Sequence, residues 1–367
     1  MKRLLCLLLV LSLMLVGCGK KTAEADPTEA PAAAPTEAPT EAPTEAPTEA
    51  PTEPPTEAPT EPPKPHNPLT GEPLDDFYTG RPVSFTINNI SACLPQYGLN
   101  SLDWMFELET EGGITRCVGM MIDPSVAEKL GPIRSCRSYF VNLSASYNAP
   151  LFHCGSSVLA KERHYSATER LDSWDHADAM GNGGSYFYRD SRGGGYAFEH
   201  TLFSSGERMA KGMEELGFNT TSEEPVSYGY QFAEDVALDG QTANEVSIKF
   251  YGGKRTTMEY DAETGLYQAH QYGGDWIDAS TGENAAFRNI LVINTDQSMH
   301  DTGLTLYDLD GTGDGWFATN GKLIPIKWHH DGVEGPFRFT LEDGTTPITF
   351  GIGRTYCAII EGTVTAE

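Results

Sequence analysis

Apolar and polar positions along this chain fall into three regimes. Leu4 to Val16 is almost unbroken apolar sequence behind Lys2 and Arg3, and it closes on Gly17-Cys18 ahead of the polar Gly19-Lys20-Lys21. A helix that crosses a bilayer needs about 20 apolar residues, so this shorter run reads as a cleaved leader, residues 1–17. Residues 18–66 follow, and from Thr22 to His66 no apolar side chain is larger than alanine. Thirteen of the 24 prolines stand there, in near-copies of Pro-Thr-Glu-Ala. Such a stretch has nothing with which to build a core; its prolines favour extended polyproline II and its glutamates repel one another, so it reads as a spacer.

Beyond residue 66 the pattern changes to short apolar runs of strand length. In residues 67–225 these are Val83 to Ile87, Trp104 to Leu108, Cys117 to Ile122 and Pro150 to His153, mixed with helical stretches. The clearest helix is predicted from Ser204, where Ser-x-x-Glu with Glu207 reads as a capping box. Met209, Met213 and Leu216 then share one face, and Gly217 supplies a stop. In residues 226–367 eight runs, from Val246 to Phe250 through Thr355 to Ile360, are punctuated by Gly, Asp-Gly and Asn-Gly, the pattern of an antiparallel sheet joined by hairpins. The expectation is an α+β protein: a mixed α/β N-terminal domain at 67–225 and a β-rich, mainly antiparallel C-terminal domain at 226–367.

Charge and cysteine content narrow the functional classes. The linker holds nine Glu, one Asp and one Lys and the leader region four basic residues, so −22 of the formal −27 lies on residues 67–367. A head this acidic argues against nucleic acid or anionic lipid as a general electrostatic partner. After Cys6 and Cys18, five cysteines remain, at 93, 117, 136, 154 and 357. Their odd number and irregular spacing, without C-x-x-C, fit neither a disulfide framework nor a zinc site. No metal or cofactor is expected. Asp308 to Gly315 imitates the opening of an EF-hand, but Thr319 stands where the bidentate Glu belongs, and a glycine-rich hairpin is expected instead. His329 and His330 are expected at an exposed strand end.

Charged residues inside apolar, glycine-rich context mark the candidate site. They occur in Glu107-x-x-x-Glu111-Gly-Gly-Ile-Thr-Arg116 and in Gly131-Pro-Ile-Arg134-Ser-Cys-Arg137-Ser-Tyr-Phe140. Leu-Val-Gly-Cys resembles the bacterial lipobox, which implies a diacylglycerol on Cys18 and anchoring to the membrane by its acyl chains. The chain from 67 to 367 resembles the YerB-like lipoproteins of Gram-positive envelopes. The likeness rests on Asn67-Pro-Leu-Thr-Gly71, Arg81-Pro-Val83, the two Arg-bearing stretches above, His153-x-Gly-Ser156, Arg189-x-x-Arg192 and His200-Thr-Leu-Phe203. It continues through Tyr260-Asp261, Thr264-Gly265, Asn289-Ile290, Gly311-x-Gly313-x-Gly315, Asn320-Gly321 and Trp328.

The resemblance implies an α+β first domain and a β-rich second one, on the outer face of the cytoplasmic membrane and projecting into the cell wall. Glu107, Glu111, Arg116, Arg134, Arg137, His153, Ser156, Arg189, Arg192 and His200 are the ligand-binding candidates, since the Arg fork suits carboxylate or phosphate. The expected role is a non-catalytic binding or scaffold module for a wall-synthesis protein or a peptidoglycan fragment. The alternatives are a peptidoglycan hydrolase using Glu107 and Glu111 as paired carboxylates, or a solute-binding receptor. The structural alternative for the Arg and Glu residues is mutual pairing that braces loops.

Overall fold

Strands β1 (Val83–Asn89), β2 (Trp104–Thr110) and β3 (Ile114–Met121) form an antiparallel meander, with Gly112 and Gly113 at positive φ in the β2–β3 turn. The computed structural model describes residues 64–165, 175–218, 221–332 and 335–367; the leader, Cys18 and the linker to residue 63 lie outside them. Short strands β4 (Leu151–His153) and β5 (His176–Asp178) extend the sheet in parallel from β1. From the second half come β6 (Glu245–Lys249), β7 (Arg255–Asp261), β8 (Leu266–Gln271), β9 (Asn289–Asn294), β10 (Gly311–Thr319), β11 (Lys322–His330), β12 (Arg338–Thr340), β13 (Thr355–Ile360) and β14 (Thr363–Ala366).

Strand β13 is the keystone of the architecture. It lies between β9 and β2, parallel to both, so one sheet runs β12-β11-β10-β9-β13-β2-β3-β1-β4-β5 through residues from both halves of the chain. Strands buried on both faces lose the polar alternation, as Leu291-Val292-Ile293 and Ala358-Ile359-Ile360 show. On one face pack α1 (Ser138–Ser146) and Trp104, Phe106, Leu108, Phe140 and Leu143. On the other lie the smaller antiparallel sheet built on β6–β8 and β14, and helix α3 (Gly206–Glu215). The fold is α+β, with few helices and a β-rich second half.

Helix α3 starts one residue later than the sequence pattern predicts. Ser205, not Ser204, caps it by accepting the Arg208 N–H; Ser204 is buried, and its hydroxyl donates to the Tyr186 carbonyl. Met209 and Met213 enter the core and Gly217 closes the helix at φ +74. Gly311 to Gly315 belongs to β10 in a hairpin with β11. His330, however, is buried rather than exposed: its ring stacks on Phe337 at 3.9 Å, and Nδ1 lies 2.6 Å from the Leu309 carbonyl. Four of the five remaining cysteines are buried thiols, Cys154 is half-buried, and none is in a disulfide.

Asp103, just before β2, ties the first described segment to the sheet. It accepts from Asn67 Nδ2 at 2.8 Å and from the Ile122 N–H at 2.7 Å. Burial pushes its carboxyl up to about 6, more than these two bonds hold it down. An acid raised in the folded state favours folding while protonated, and that contribution is lost as pH rises from the ordinary Asp value near 4 through about 6. Asp103→Asn stays neutral throughout. Its urea midpoint, relative to wild type, is expected to rise between pH 4 and pH 7; a difference that stays flat or falls would count against this account.

Candidate functional site

Alternation along β2 and β3 decides which of the predicted residues meet. Arg116 pairs across the ladder with Asn88 and Leu108, so its side chain shares the helix-covered face; Glu107, one residue from Leu108, points to the opposite one. Glu107 is therefore not in the site. It is fully buried against the small sheet, ion-paired with Lys254, and accepts from Asn89 Nδ2 (2.8 Å), Thr115 (2.5 Å), Thr256 (2.9 Å) and Tyr356 (2.6 Å). Burial raises its pKa, but Lys254 and these donors more than offset that and leave the carboxyl lowered. Glu111 is taken up as well, in a bidentate pair with Arg137 Nε and Nη2 at 2.9 and 2.6 Å. The two carboxylates thus face no common cleft, as a paired-carboxylate hydrolase would require.

Around the start of α1 the structure gathers Arg116, Arg134 and Arg137. The segment from Gly131 to Arg137 is pinned on both sides: the Ile133 N–H donates to Leu202 O, the Arg134 N–H to Thr86 O, and the Cys154 N–H to Arg134 O. Arg116 is 5% exposed, and its Nη1 donates to the Ser135 carbonyl at 3.3 Å. Burial first, then repulsion from Arg137 and Arg134, lowers its pKa to about 10. The buried Nε atoms of Arg116 and Arg134 have no hydrogen-bond partner among the described residues, and the Arg134 guanidinium forms no ion pair there. Helix α1 itself begins with neither a side-chain cap nor an acidic residue in its first turn. Ser156 lies opposite Cys136 in a bridge that holds the β4–α2 loop, ahead of α2 (Val158–Tyr165), beside this segment.

The remaining candidates frame the cluster. His200 accepts from Asn88 Nδ2 at 2.8 Å; burial lowers its pKa, Glu199 opposes this, and Arg134 and Arg192 add to the lowering. Arg192 is spent on backbone, donating to the carbonyls of Cys93, Pro95 and His200 and lying 3.3 Å over the Tyr196 ring. Arg189 donates to the Phe198 carbonyl and covers that exposed ring at 3.6 Å. Both arginines thus make contacts that brace the loop from 189 to 203. His153 is buried, donates from Nδ1 to Gly155 O at 3.0 Å and accepts from His176 at 3.1 Å. Burial lowers it to about 4, with His176 adding to the effect and Asp178 opposing it. Burial also raises the Cys154 thiol, so a reactive thiolate is not built here.

One feature escaped sequence reasoning: the polar layer between the two sheets. Asn89 Oδ1 accepts from Gln96 and Gln271, Gln96 accepts from the Trp276 indole N–H, and Lys254 closes on Glu107. Its members come from distant segments, and only a lysine between Gly253 and the alternating run at Arg255 hints at it.

An α+β head that shares one sheet between its two halves, with an arginine cluster at an uncapped helix start, is the class of protein these features define. The chain belongs to the YerB-like family. Residues 69–219 match the N-terminal domain of the family described as "Protein of unknown function (DUF3048)", and residues 246–357 match its C-terminal domain. The chain is 28% identical over 295 residues to "Putative lipoprotein YerB" of Bacillus subtilis (strain 168), covering 74% of this chain and 82% of that one. It also resembles the crystal structure of the YerB protein from Bacillus subtilis, with TM-score 0.70 and 25% identity, over 82% of this chain and all of that one. The relationship fits a lipoprotein of the cell envelope, as the Leu-Val-Gly-Cys sequence leads one to expect.

Proposed function

We propose that the mature protein is acylated at Cys18, stands off the outer face of the cytoplasmic membrane on its Pro/Thr/Glu/Ala linker, and acts there as a non-catalytic binding module. Its ligand is a cell-envelope component, a peptidoglycan fragment or a wall-synthesis protein, engaged through Arg116 and Arg134 with Arg137 and Ser156 beside them. The observation that carries this reading is Arg134: a guanidinium whose Nε is buried without a partner, beside a second under-satisfied arginine, in a head that carries −22. Were bracing its only role, its guanidinium would be expected to find carbonyls or carboxylates, as the fork of Arg137 does on Glu111 and as the Nη groups of Arg192 do on backbone although its Nε, too, is unpaired.

The test is co-sedimentation of residues 19–367 with isolated peptidoglycan. Wild type is expected to sediment, and Arg134→Gln to bind at least tenfold more weakly with its melting temperature unchanged. Equal sedimentation, or loss that tracks a large drop in melting temperature, would return Arg134 to a bracing role.

A further inference from the structure

The same cluster specifies the ligand's chemistry, on the reading of it as the binding surface. We infer that the start of α1, with Arg116 and Arg134, binds a dianionic phosphoryl group in preference to a carboxylate. The charge balance points this way. Glu111 neutralises Arg137 in a bidentate pair, whereas Arg116 and Arg134 have no carboxylate partner among the described residues. Two uncompensated guanidiniums, together with the partial positive charge at a helix start, match the charge of −1.5 to −2 that a phosphomonoester carries near pH 7. Asp178, whose charge reaches Cys136 and Cys154, forms no ion pair with these arginines: it accepts from the N–H groups of Gly155 and Met180 and lies 4.0 Å from His153.

Donor geometry favours the same ligand. A carboxylate presents its lone pairs in one plane and suits a single fork, the way Glu111 meets Arg137. Here the donors come from three elements: Arg116 from strand β3, Arg134 from the pinned segment before α1, and the N–H groups of Ser138 and Tyr139 at the start of α1, which no side chain caps; the next, of Phe140, donates to Arg137 O. Three tetrahedrally disposed oxygens accept from such diverging directions, and a helix start is a ready anion site. Two observations therefore meet: the uncapped helix of nine residues, and a 95% buried arginine beside it whose one hydrogen bond is the 3.3 Å contact to the Ser135 carbonyl and whose Nε has no partner among the described residues. Repulsion among Arg116, Arg134 and Arg137 is what a bound dianion would relieve.

The probe is inorganic phosphate, titrated into residues 19–367 at constant ionic strength while the arginine Nε–Hε cross-peaks are followed by ¹⁵N NMR. Sodium acetate serves as the carboxylate control. Phosphate is expected to shift the Arg116 and Arg134 peaks saturably in the millimolar range, with acetate at least tenfold weaker and Arg134→Gln at least tenfold weaker for phosphate. Absence of a saturable shift in the wild-type protein, or equal response to acetate, would overturn the assignment whether or not the variant folds. If Arg134→Gln still loses peptidoglycan binding in that case, the binding surface stands and only the phosphoryl class falls. Phosphatidylcholine vesicles carrying phosphatidate separate the sources. Arg134-dependent retention on them would assign a lipid headgroup, and phosphate shifts without retention a soluble or polymer-borne phosphoryl group.

Discussion

Lys254→Met is expected to destabilise the protein by about 3–5 kcal/mol at neutral pH, the cost of leaving one member of a buried ion pair without its partner. Glu107 is fully buried and Lys254 nearly so, and the pair joins strand β2 of the large sheet to the residue that leads into β7 of the small one. With the ammonium gone, the carboxylate keeps its donors from Asn89, Thr115, Thr256 and Tyr356 but loses the charge that holds its pKa down. Burial then dominates and raises it. In wild type a lowered carboxyl contributes stability that is lost as pH falls; in the variant a raised one makes the fold less stable as pH rises. The penalty measured by urea unfolding should therefore be largest near pH 7 and shrink toward pH 5. Glu107→Gln in the Lys254→Met background should recover part of the loss, because the uncompensated charge is removed while the amide oxygen still accepts. A single variant within about 1 kcal/mol of wild type, or two losses that simply add, would refute the buried-pair account.

That pair also shows where legibility in the sequence ends. Strand runs such as Val83 to Ile87 and Thr256 to Tyr260 were readable because hydrophobicity there follows a local period. Pairings were not: Lys254 meets Glu107 from 147 residues away, and β13 slots between β9 and β2 by contacts with no local signature. Helix α1 went unplaced because seven of its nine residues are buried, which erases the polar stripe that marks a surface helix. The arginines at 116, 134 and 137 stood out as charges in an apolar stretch of sequence. What the residue types alone did not reveal was the side of the sheet, so Glu107 looked equivalent to Arg116 although one step along paired strands puts them on opposite faces. The expectation for His330 failed for a related reason: a strand end is exposed only if nothing folds over it, and Phe337 stacks on that ring.

Gly206→Ala is the substitution for which helix propensity and tertiary packing disagree most. Gly206 opens α3 directly after its Ser205 cap, where alanine is intrinsically better than glycine by up to about 1 kcal/mol. A Cβ at this position, however, would lie 1.5 Å from the Pro124 carbonyl oxygen and 2.4 Å from its carbon. Both are backbone atoms, so no rotamer change relieves the contact; the helix start must move away from the 124–127 turn, where the Gly206 N–H donates to Ala127 O at 2.8 Å. Overpacking typically costs 1–3 kcal/mol, and a backbone collision belongs at or above the top of that range, so a net loss of about 3 kcal/mol is expected. Gly212→Ala, in the middle of the same helix, is the control. Its nearest neighbours are side-chain atoms of Phe152 at 2.9 Å and Tyr186 at 3.1 Å, which can shift, so its loss should be much smaller. The effect of Gly206→Ala should also reach the arginine cluster, because Ser204 bridges Leu130 and the Ile133 N–H donates to Leu202 O, next to Arg134. In the fraction that remains folded, the Arg134 Nε–Hε resonance is expected to move even without ligand. Equal urea midpoints for Gly206→Ala and wild type would show that α3 is not seated on the Pro124 backbone, and with that the mechanical link from helix to cluster would fall.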